Sequence, residues 1–458
     1  MLQQTLFIIK VLAYGISSLL SDVYRLAVLR AKYLHYRITP WKGKGDDDEG
    51  EEVRNIVVVD ASFAGYSAAR VLAKSLPYLP GNRGRYRVVV VEPHSHFHFT
   101  WVLPRFCVVP DHEHKAFIPY GGFLRGVPPD FVRWVAGRAV GASRDAVQIS
   151  GSSGETIPYA FLIVATGSGI SGGDENESNE NESKNNSLPS RVDADGKKEG
   201  IRQLKDMQQR IRGAENLVIV GGGAAGVELA TDAKGQYPDK KVVLVHSRDA
   251  VMHRFGARLQ AAAMDGLRQL GVDVITGERL VGHDTESGLV TLKSGRQVEC
   301  DVLIKCTGQR PASHLIADLS PSSVLATGQV RVKSTMQIAD DEFPNVYACG
   351  DVAETGTPNP NARSADRQAA IAADNVLSAI QGKAPSREYI PNFMDGVIKL
   401  TLGLEKSVGY ARDGDSELLL RSKEKDLALM SRQAWWRFGA KAFEDDVEGD
   451  AVGSKDPA

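Results

Sequence analysis

Gly221, Gly223 and Gly226 stand at the spacing G-x-G-x-x-G, and that spacing has a chemical use. The first glycine permits a tight turn. The second lets backbone approach a pyrophosphate, and the third lets a helix pack closely on the strand before it. An apolar run at 217–220 precedes the turn, and a helix-forming run at 224–230 follows it. This context predicts strand, turn and helix. The helix N-terminus then offers unpaired N–H groups and a positive dipole end to phosphate. A second strand at 241–245 ends in His246-Ser247-Arg248. An acidic residue there would hold the ribose diol of NAD, whereas a basic one accommodates a 2′-phosphate. Arg248 therefore points to NADPH or to use of both coenzymes.

A weaker copy of the pattern lies upstream. Residues 56–59 read as a strand and 65–76 as a helix, joined by Asp60-Ala61-Ser62-Phe63-Ala64-Gly65. Only the third glycine of the fingerprint is present. Asp60 is the odd residue, because its Cβ hinders the turn and its carboxylate repels a pyrophosphate. The next strand, 86–91, ends at Glu92, in the position that holds an adenosine ribose. Further on, a buried-strand pattern at 159–164 runs into Ala165-Thr166-Gly167. Thr166 and Gly167 there offer a small surface and backbone groups at a sheet edge. A second strand at 301–304 runs into Cys306-Thr307-Gly308, an echo that marks a return from an inserted unit. A run at 343–348 ends in Gly350-Asp351, where the glycine allows close approach and the carboxylate reaches a cofactor hydroxyl. The helix over 363–375 aims its N-terminus at the same place. His94, His96 and His98 alternate on one face of a strand. No carboxylate or cysteine stands at metal-ligand spacing beside them, so no metal site is expected.

These residues need elements to carry them. A chain of 458 residues exceeds one ordinary domain, and its 45 glycines suit a turn-rich α/β protein. The expected fold class is α/β. It has two Rossmann-like, three-layer dinucleotide-binding domains, one inserted in the other, and a small C-terminal α+β segment. The first unit covers 53–214, with a polar, low-complexity insertion at 171–198 read as disordered. The inserted unit covers 215–298, the first resumes over 299–385, and a C-terminal domain covers 386–442. Residues 131–140 and 146–149 read as a strand pair. Residues 423–443 read as helical, with Trp435, Trp436 and Phe438 serving core packing or an interfacial anchor. Residues 443–458 read as a disordered acidic tail.

Residues 1–52 comprise a basic, apolar, acid-poor stretch and an acidic linker. Its uninterrupted uncharged run is shorter than the roughly 20 residues of a spanning helix. An interfacial amphipathic helix on a membrane, a mitochondrial presequence and a core-packing helix are the three readings. A net charge of −2 argues against nucleic acid as a partner. Cys107, Cys300, Cys306 and Cys349 form no close pair, so no redox disulfide is expected.

The order of these motifs, from the first nucleotide unit and Glu92 through A-T-G, the inserted G-x-G-x-x-G unit and C-T-G to Val-Tyr-Ala-Cys-Gly-Asp, resembles the FAD-dependent pyridine nucleotide oxidoreductases. Within them it is similar to the apoptosis-inducing-factor-like, ferroptosis-suppressor-protein-like branch. The resemblance covers about residues 53–440. It implies FAD held by Ser62, Phe63, Ala64, Gly65, Glu92, Arg105, backbone near Ala136, and Asp351. It also implies Lys115 beside the flavin and Glu228 beside the nicotinamide and flavin rings. NAD(P)H would dock on the turn from Gly221 to Gly226 and pass hydride to the flavin. Missing cysteine pairs and the apolar N-terminus favour a membrane quinone as acceptor, at a mitochondrial or lipid-droplet membrane. The alternatives are a small redox protein as acceptor, and a degenerate, non-catalytic flavoprotein acting in signalling.

Overall fold

A computed structural model describes residues 53–79, 85–150, 155–170, 191–307 and 309–445, with scattered residues between 7 and 31. The elements that position the site, in chain order, are these. The first unit opens with β1 (Arg54–Val59), α1 (Phe63–Ser75), β2 (Tyr86–Glu92), β3 (Val132–Ala136) and β4 (Phe161–Val164). Then come α2 (Lys197–Gly213), β5 (Asn216–Val220), α3 (Ala224–Gln236), β6 (Lys241–Val245), α4 (Ala257–Leu270), β7 (Asp273–Ile275) and β8 (Val302–Lys305). The chain continues through β9 (Val346–Ala348), α5 (Ala362–Ile380), β10 (Ile398–Thr401), β11 (Lys406–Asp413), β12 (Ser416–Lys423) and α6 (Ser431–Arg437).

Two parallel sheets carry the nucleotide units. The first has the order β9-β4-β1-β2-β3, and the second β7-β6-β5-β8. Their strands are near-continuous Val/Ile/Leu runs because both faces are covered. In β5, Leu217 and Ile219 face the main core, while Val218 joins Val243, Val290 and Val298 in a second cluster on the opposite face. A pleated strand puts alternate residues on opposite faces, so this division makes the inserted unit three-layered. In the first unit, α1 buries Ala64, Ala68, Ala69 and Ala73, and α5 buries Ala365, Ala369, Ala372 and Ala373. These small faces pack against each other across the sheet edge, with Ser67 Oγ donating to Asp366 Oδ1 at 2.5 Å.

Several boundaries differ from the sequence expectation. The fourth strand of the inserted sheet is β8, so that unit runs to Lys305 rather than 298. Two crossing strands, Ser168–Ile170 and Gln309–Pro311, then pair antiparallel and tie the two units together. The single strand expected over 131–140 is two. Val132–Ala136 joins the parallel sheet, and Arg138–Ala142 pairs with Ala146–Ser150 in another. Gly137 is the break: its N–H donates to the Glu92 carbonyl at 3.2 Å. The polar insertion was expected to reach 198, but residues 191–198 are ordered. Val192 and Ala194 are buried, the Asp195 carbonyl accepts the Ser95 N–H, and α2 begins at Lys197. The rest of that insertion, residues 171–190, lies outside the described residues. The expected helix at 423–443 is only α6, because β12 takes the chain to Lys423. The tail expected to be free from 443 is anchored at its start: Asp445 pairs with His96 at 2.9 Å and with Lys197. Residues 446–458 lie outside the described residues.

Most of 1–52 also lies outside the described residues. Among those that are described, Phe7 is buried against Phe393, and Lys10 pairs with Asp413 at 2.6 Å. Ile9, Ile16, Leu20 and Tyr24 are helical and exposed. Among the described residues no helix is long and apolar enough to cross a membrane.

Candidate active site: two dinucleotide turns and the junction between them

The inserted unit supplies one turn. Gly221 is left-handed at φ 120°, and its N–H donates to the Val245 carbonyl at 2.8 Å, fixing the turn to β6. A Cβ on Gly226 would fall 1.8 Å from the Gly221 carbonyl oxygen, so only glycine allows α3 to start there. Gly223 is the N-cap of α3, and a Cβ on it would meet nothing within 4 Å. That opening lies beside helix N–H groups with no side-chain cap, which suits a diphosphate.

The second strand of this unit ends at His246, which is buried. Its Nδ1 accepts the Gly222 N–H at 3.0 Å, and its Nε2 lies 3.2 Å from His253 Nδ1. Burial, then the neighbouring His253 and Arg248, hold the His246 pKa below its ordinary value. Sequence reading singled out Arg248, which is exposed. His246, which immediately follows the strand, is the residue in contact with the turn, and its position was the signal.

The first unit supplies a second turn with the same framework. The Asp60 N–H donates to the Val91 carbonyl at 2.9 Å, and Asp60 is left-handed at φ 73°. A Cβ on Gly65 would fall 1.8 Å from the Asp60 carbonyl oxygen. Ser62 is the N-cap of α1 and makes no side-chain cap bond, so the N–H groups near Phe63 and Ala64 are left without one. Glu92 is buried at the end of β2, its Oε2 accepting the Ala61 N–H at 2.5 Å. Its Oε1 accepts the His94 N–H at 2.8 Å and lies 2.5 Å from His94 Nδ1. Burial works against charge on His94, but the Glu92 bond and the charges of Glu92, Asp60 and Asp195 together outweigh it and the pKa rises. Ala136 pairs with Glu92 in register at the same strand ends and is exposed.

Gly350 and Asp351 come to this edge too. Gly350 is left-handed at φ 82°, its N–H donates to Gln368 Oε1 at 2.8 Å, and a Cβ there would lie 3.2 Å from that of Ala64. Burial raises the Asp351 carboxyl above its usual range, opposed by Arg191 and the Ser168 hydroxyl beside it. Arg191 follows the low-complexity stretch, and no sequence signal marked it. The N-terminus of α5 is closed by its own Asn361, which accepts the N–H groups of Arg363 and Ser364. Thr166 serves the domain crossing: its hydroxyl donates to the Ala312 carbonyl at 2.7 Å, and the Gly167 carbonyl accepts the Ala312 N–H.

Arg105, which the resemblance implied as an FAD contact, makes its bonds away from the first turn. It is buried between the units, where Nε donates to Asp232 Oδ2 at 2.6 Å and Nη2 to the Gly403 carbonyl at 3.0 Å. The short helix Leu103–Phe106 presents it to α3, and a buried guanidinium needs such a carboxylate. Burial lifts Asp232 to about 6 against the pull of Arg105. One helical turn earlier on α3, Glu228 accepts the Thr401 N–H at 3.0 Å and its hydroxyl at 3.2 Å. Burial pushes the Glu228 carboxyl up to about 8, with the Thr401 bonds opposing. Glu228 and Asp232, four apart on one helix, thus meet both other parts of the molecule. That spacing was legible, although Asp232 was not singled out.

Lys115 belongs to a different neighbourhood. Its Nζ lies 2.6 Å from His112 Nδ1 and 5.2 Å from the Phe443 ring, and its carbonyl accepts the Trp435 Nε1–H. Burial lowers its pKa. Trp435 and Phe438 are buried and Trp436 is exposed.

The glycine contacts, the uncapped helix starts and Glu92 fit two dinucleotides. Asp60 is the residue of the first turn that works against a diphosphate.

The family model described as pyridine nucleotide-disulphide oxidoreductase matches residues 54–373. Fe-regulated protein 8 of Mycosarcoma maydis is 31% identical over 409 residues, covering 85% of this chain and 96% of that protein. Human ferroptosis suppressor protein 1 is 27% identical over 365 residues, covering 78% and 88%. Among solved structures, the sulfide:quinone oxidoreductase of Aquifex aeolicus superposes with a TM-score of 0.66 at 15% identity, covering 85% of this chain and 92% of that one.

Proposed function

This chain belongs to the pyridine nucleotide-disulphide oxidoreductase family, and from that premise we propose that it passes reducing equivalents from NADPH, through FAD, to a membrane quinone. The observation that carries the reading is the pair of matched turns, each with its glycine packed against a carbonyl, on two parallel sheets of one chain. When bound, the flavin supplies the chemistry by taking hydride from a reduced nicotinamide and releasing electrons to the acceptor.

The residues of the chain do the holding and orienting. Gly221, Gly223 and Gly226 with the start of α3 bind the NADPH diphosphate, and Arg248 beside His246 meets a 2′-phosphate. Ser62, Phe63, Ala64 and Gly65 with the start of α1 bind the FAD diphosphate. Glu92 and backbone at Ala136 take the adenosine end, and Gly350 and Asp351 the far end. Glu228 keeps a proton at the junction of the three parts, since a carboxyl raised to about 8 is neutral at pH 7. Lys115 orders the adjacent loop through His112 and Trp435.

Thiols take no part in this scheme. None of the four cysteines is in a disulfide, and burial pushes Cys107 and Cys349 up to about 12. The basic, apolar N-terminus brings the chain to a lipid surface, where a quinone is available. Its exposed Ile9, Ile16, Leu20 and Tyr24 support this.

The test is a visible absorbance spectrum of purified protein, then anaerobic addition of NADPH or NADH, then a short-chain quinone. The flavin band should bleach, faster with NADPH, and return with the quinone. A band that persists after both nicotinamides refutes the reading. Asp60 favours one other reading, a nicotinamide-binding protein without flavin. A colourless protein that still binds NADPH would establish it.

A further inference from the structure

The first turn contains a carboxylate that its sister turn lacks. Asp60 stands where the second turn has Gly221, in a left-handed conformation that disfavours a side chain. The side chain is folded back onto the turn: Oδ1 accepts the Ser62 N–H at 2.7 Å. Ser62 is the N-cap of α1, so this places an anion of the protein's own at the positive end of the helix. At the matching place in the second turn, beside Gly223, the space is open.

The groups around Asp60 come from every element packed on it. Glu92 ends β2, and His94 follows in the next segment. Tyr120 donates its hydroxyl to the Ala61 carbonyl at 3.3 Å, and Cys349 follows β9. His94 is the one group of these four that becomes a cation, and its Nδ1 is already engaged by Glu92. Asp60 and Glu92 are therefore two acids with one shared countercharge.

We propose that this chain takes up FAD together with one proton at Asp60, so that the first site loads its cofactor readily in acid and weakly in alkali. This rests on the assignment of the first unit to FAD. A diphosphate brought to the start of α1 meets the Asp60 carboxylate at close range in a half-buried site, where like charges repel strongly. Protonation removes that repulsion and turns the carboxyl oxygen into a donor toward phosphate.

The proton is available near neutrality, since burial and then Glu92 push the Asp60 carboxyl up to about 6 before any phosphate arrives. The cofactor's charge raises it further. Between those two values, linkage of one proton weakens FAD binding by about tenfold per pH unit.

The experiment titrates FAD into the flavin-free full-length chain from pH 5.5 to 8.5, following quenching of flavin fluorescence. The Kd of the unaltered chain should rise about tenfold per pH unit above pH 6. D60G and D60N should lose that slope and bind more tightly than the unaltered chain at pH 8.5. Asparagine tolerates the left-handed region, so D60N keeps the turn if D60G loosens it. Calorimetry in two buffers of different ionisation enthalpy should read about one proton taken up by the unaltered chain and none by D60N. H94Q should retain the slope. A slope that persists in both Asp60 variants overturns the proposal. So does an unaltered chain that binds FAD equally at every pH, which leaves the oxidoreductase reading standing. Failure of all variants to bind FAD at any pH, with NADPH binding intact, overturns both.

Discussion

The two nucleotide turns reach one backbone arrangement with different residues. In each, the first residue is left-handed and its N–H goes to the neighbouring strand. In each, the third glycine packs against that first residue's carbonyl. In each, the side chain closing the second strand accepts the N–H of the turn's second residue, Ala61 to Glu92 and Gly222 to His246. What differs is charge. The first turn has two carboxylates, Asp60 and Glu92, where the second has Gly221 and the His246 imidazole, whose pKa burial lowers. The two turns therefore share their backbone geometry, and the side chains at two positions give them different charge.

The shared contact gives the largest expected effect. G226A puts a methyl group 1.8 Å from the Gly221 carbonyl, and G65A does the same at Asp60. Each should weaken its own nucleotide at least about a hundredfold, about 2.8 kcal/mol, and leave the other within a few-fold. Equilibrium titration with NADPH and with FAD reads both constants. Equal loss of both nucleotides in either variant would show that the turns do not act separately.

The second effect separates them by the sign of their pH dependence in the cofactor-free protein. The Asp60 carboxyl is raised from 3.8 to about 6. Its stabilising proton is present below pH 4 and lost as pH rises to 6. The His246 pKa is lowered from 6.5, so its contribution is present above pH 6.5 and lost as pH falls below it. D60N should therefore raise stability on the alkaline side, by roughly 2–3 kcal/mol from the size of the Asp60 shift. H246Q should raise it on the acid side only. Thermal melts at pH 5 and pH 8 decide this, and a gain on the same side for both variants breaks the comparison.

This contrast also marks what was legible in the sequence. The second turn could be read because its fingerprint is made of glycines, whose role is set by backbone sterics. The first could be read only through Gly65 and Glu92. That Asp60 would adopt the glycine conformation, and fold its carboxylate back beside the start of its own helix, depends on the Ser62 N–H and the β2 edge. Arg105 shows the same limit, since its partner Asp232 is far away in sequence and its burial depends on how the units pack. The low-complexity run was expected to extend to 198, whereas residues 191–198 are ordered. Val192 and Ala194 are small, and their burial follows from where α2 docks.

A smaller effect concerns the turn's second residue. The first turn has Ala61, fully buried, while a Cβ at Gly222 would lie 2.8 Å from the His246 ring and 3.0 Å from Val251. G222A should cost about 1–2 kcal/mol, and adding H246S should recover most of it by removing the ring. A61G should cost about 1 kcal/mol or less. Chemical denaturation of the three variants reads these differences. If H246S gives no recovery, the crowding lies elsewhere.

The last comparison is of the strand-end residues, and it sharpens what the second turn selects. Glu92 is the type of residue that accepts from ribose hydroxyls. His246 cannot do so as a carboxylate would, and exposed Arg248 beside it attracts a phosphate. Exchanging the chemistry tests whether position or packing governs the choice. H246E brings an acid to the end of β6, where it keeps an acceptor for the Gly222 N–H and repels a 2′-phosphate. It should lower NADPH affinity about tenfold, roughly 1.4 kcal/mol, and improve NADH modestly. R248A should lower NADPH affinity alone, by a few-fold, with an effect that fades as salt is raised because the residue is exposed. Titrating both coenzymes at low and high ionic strength separates these outcomes. If H246E leaves the NADPH to NADH ratio unchanged, the imidazole serves only to brace Gly222, and the coenzyme's ribose is read by other residues.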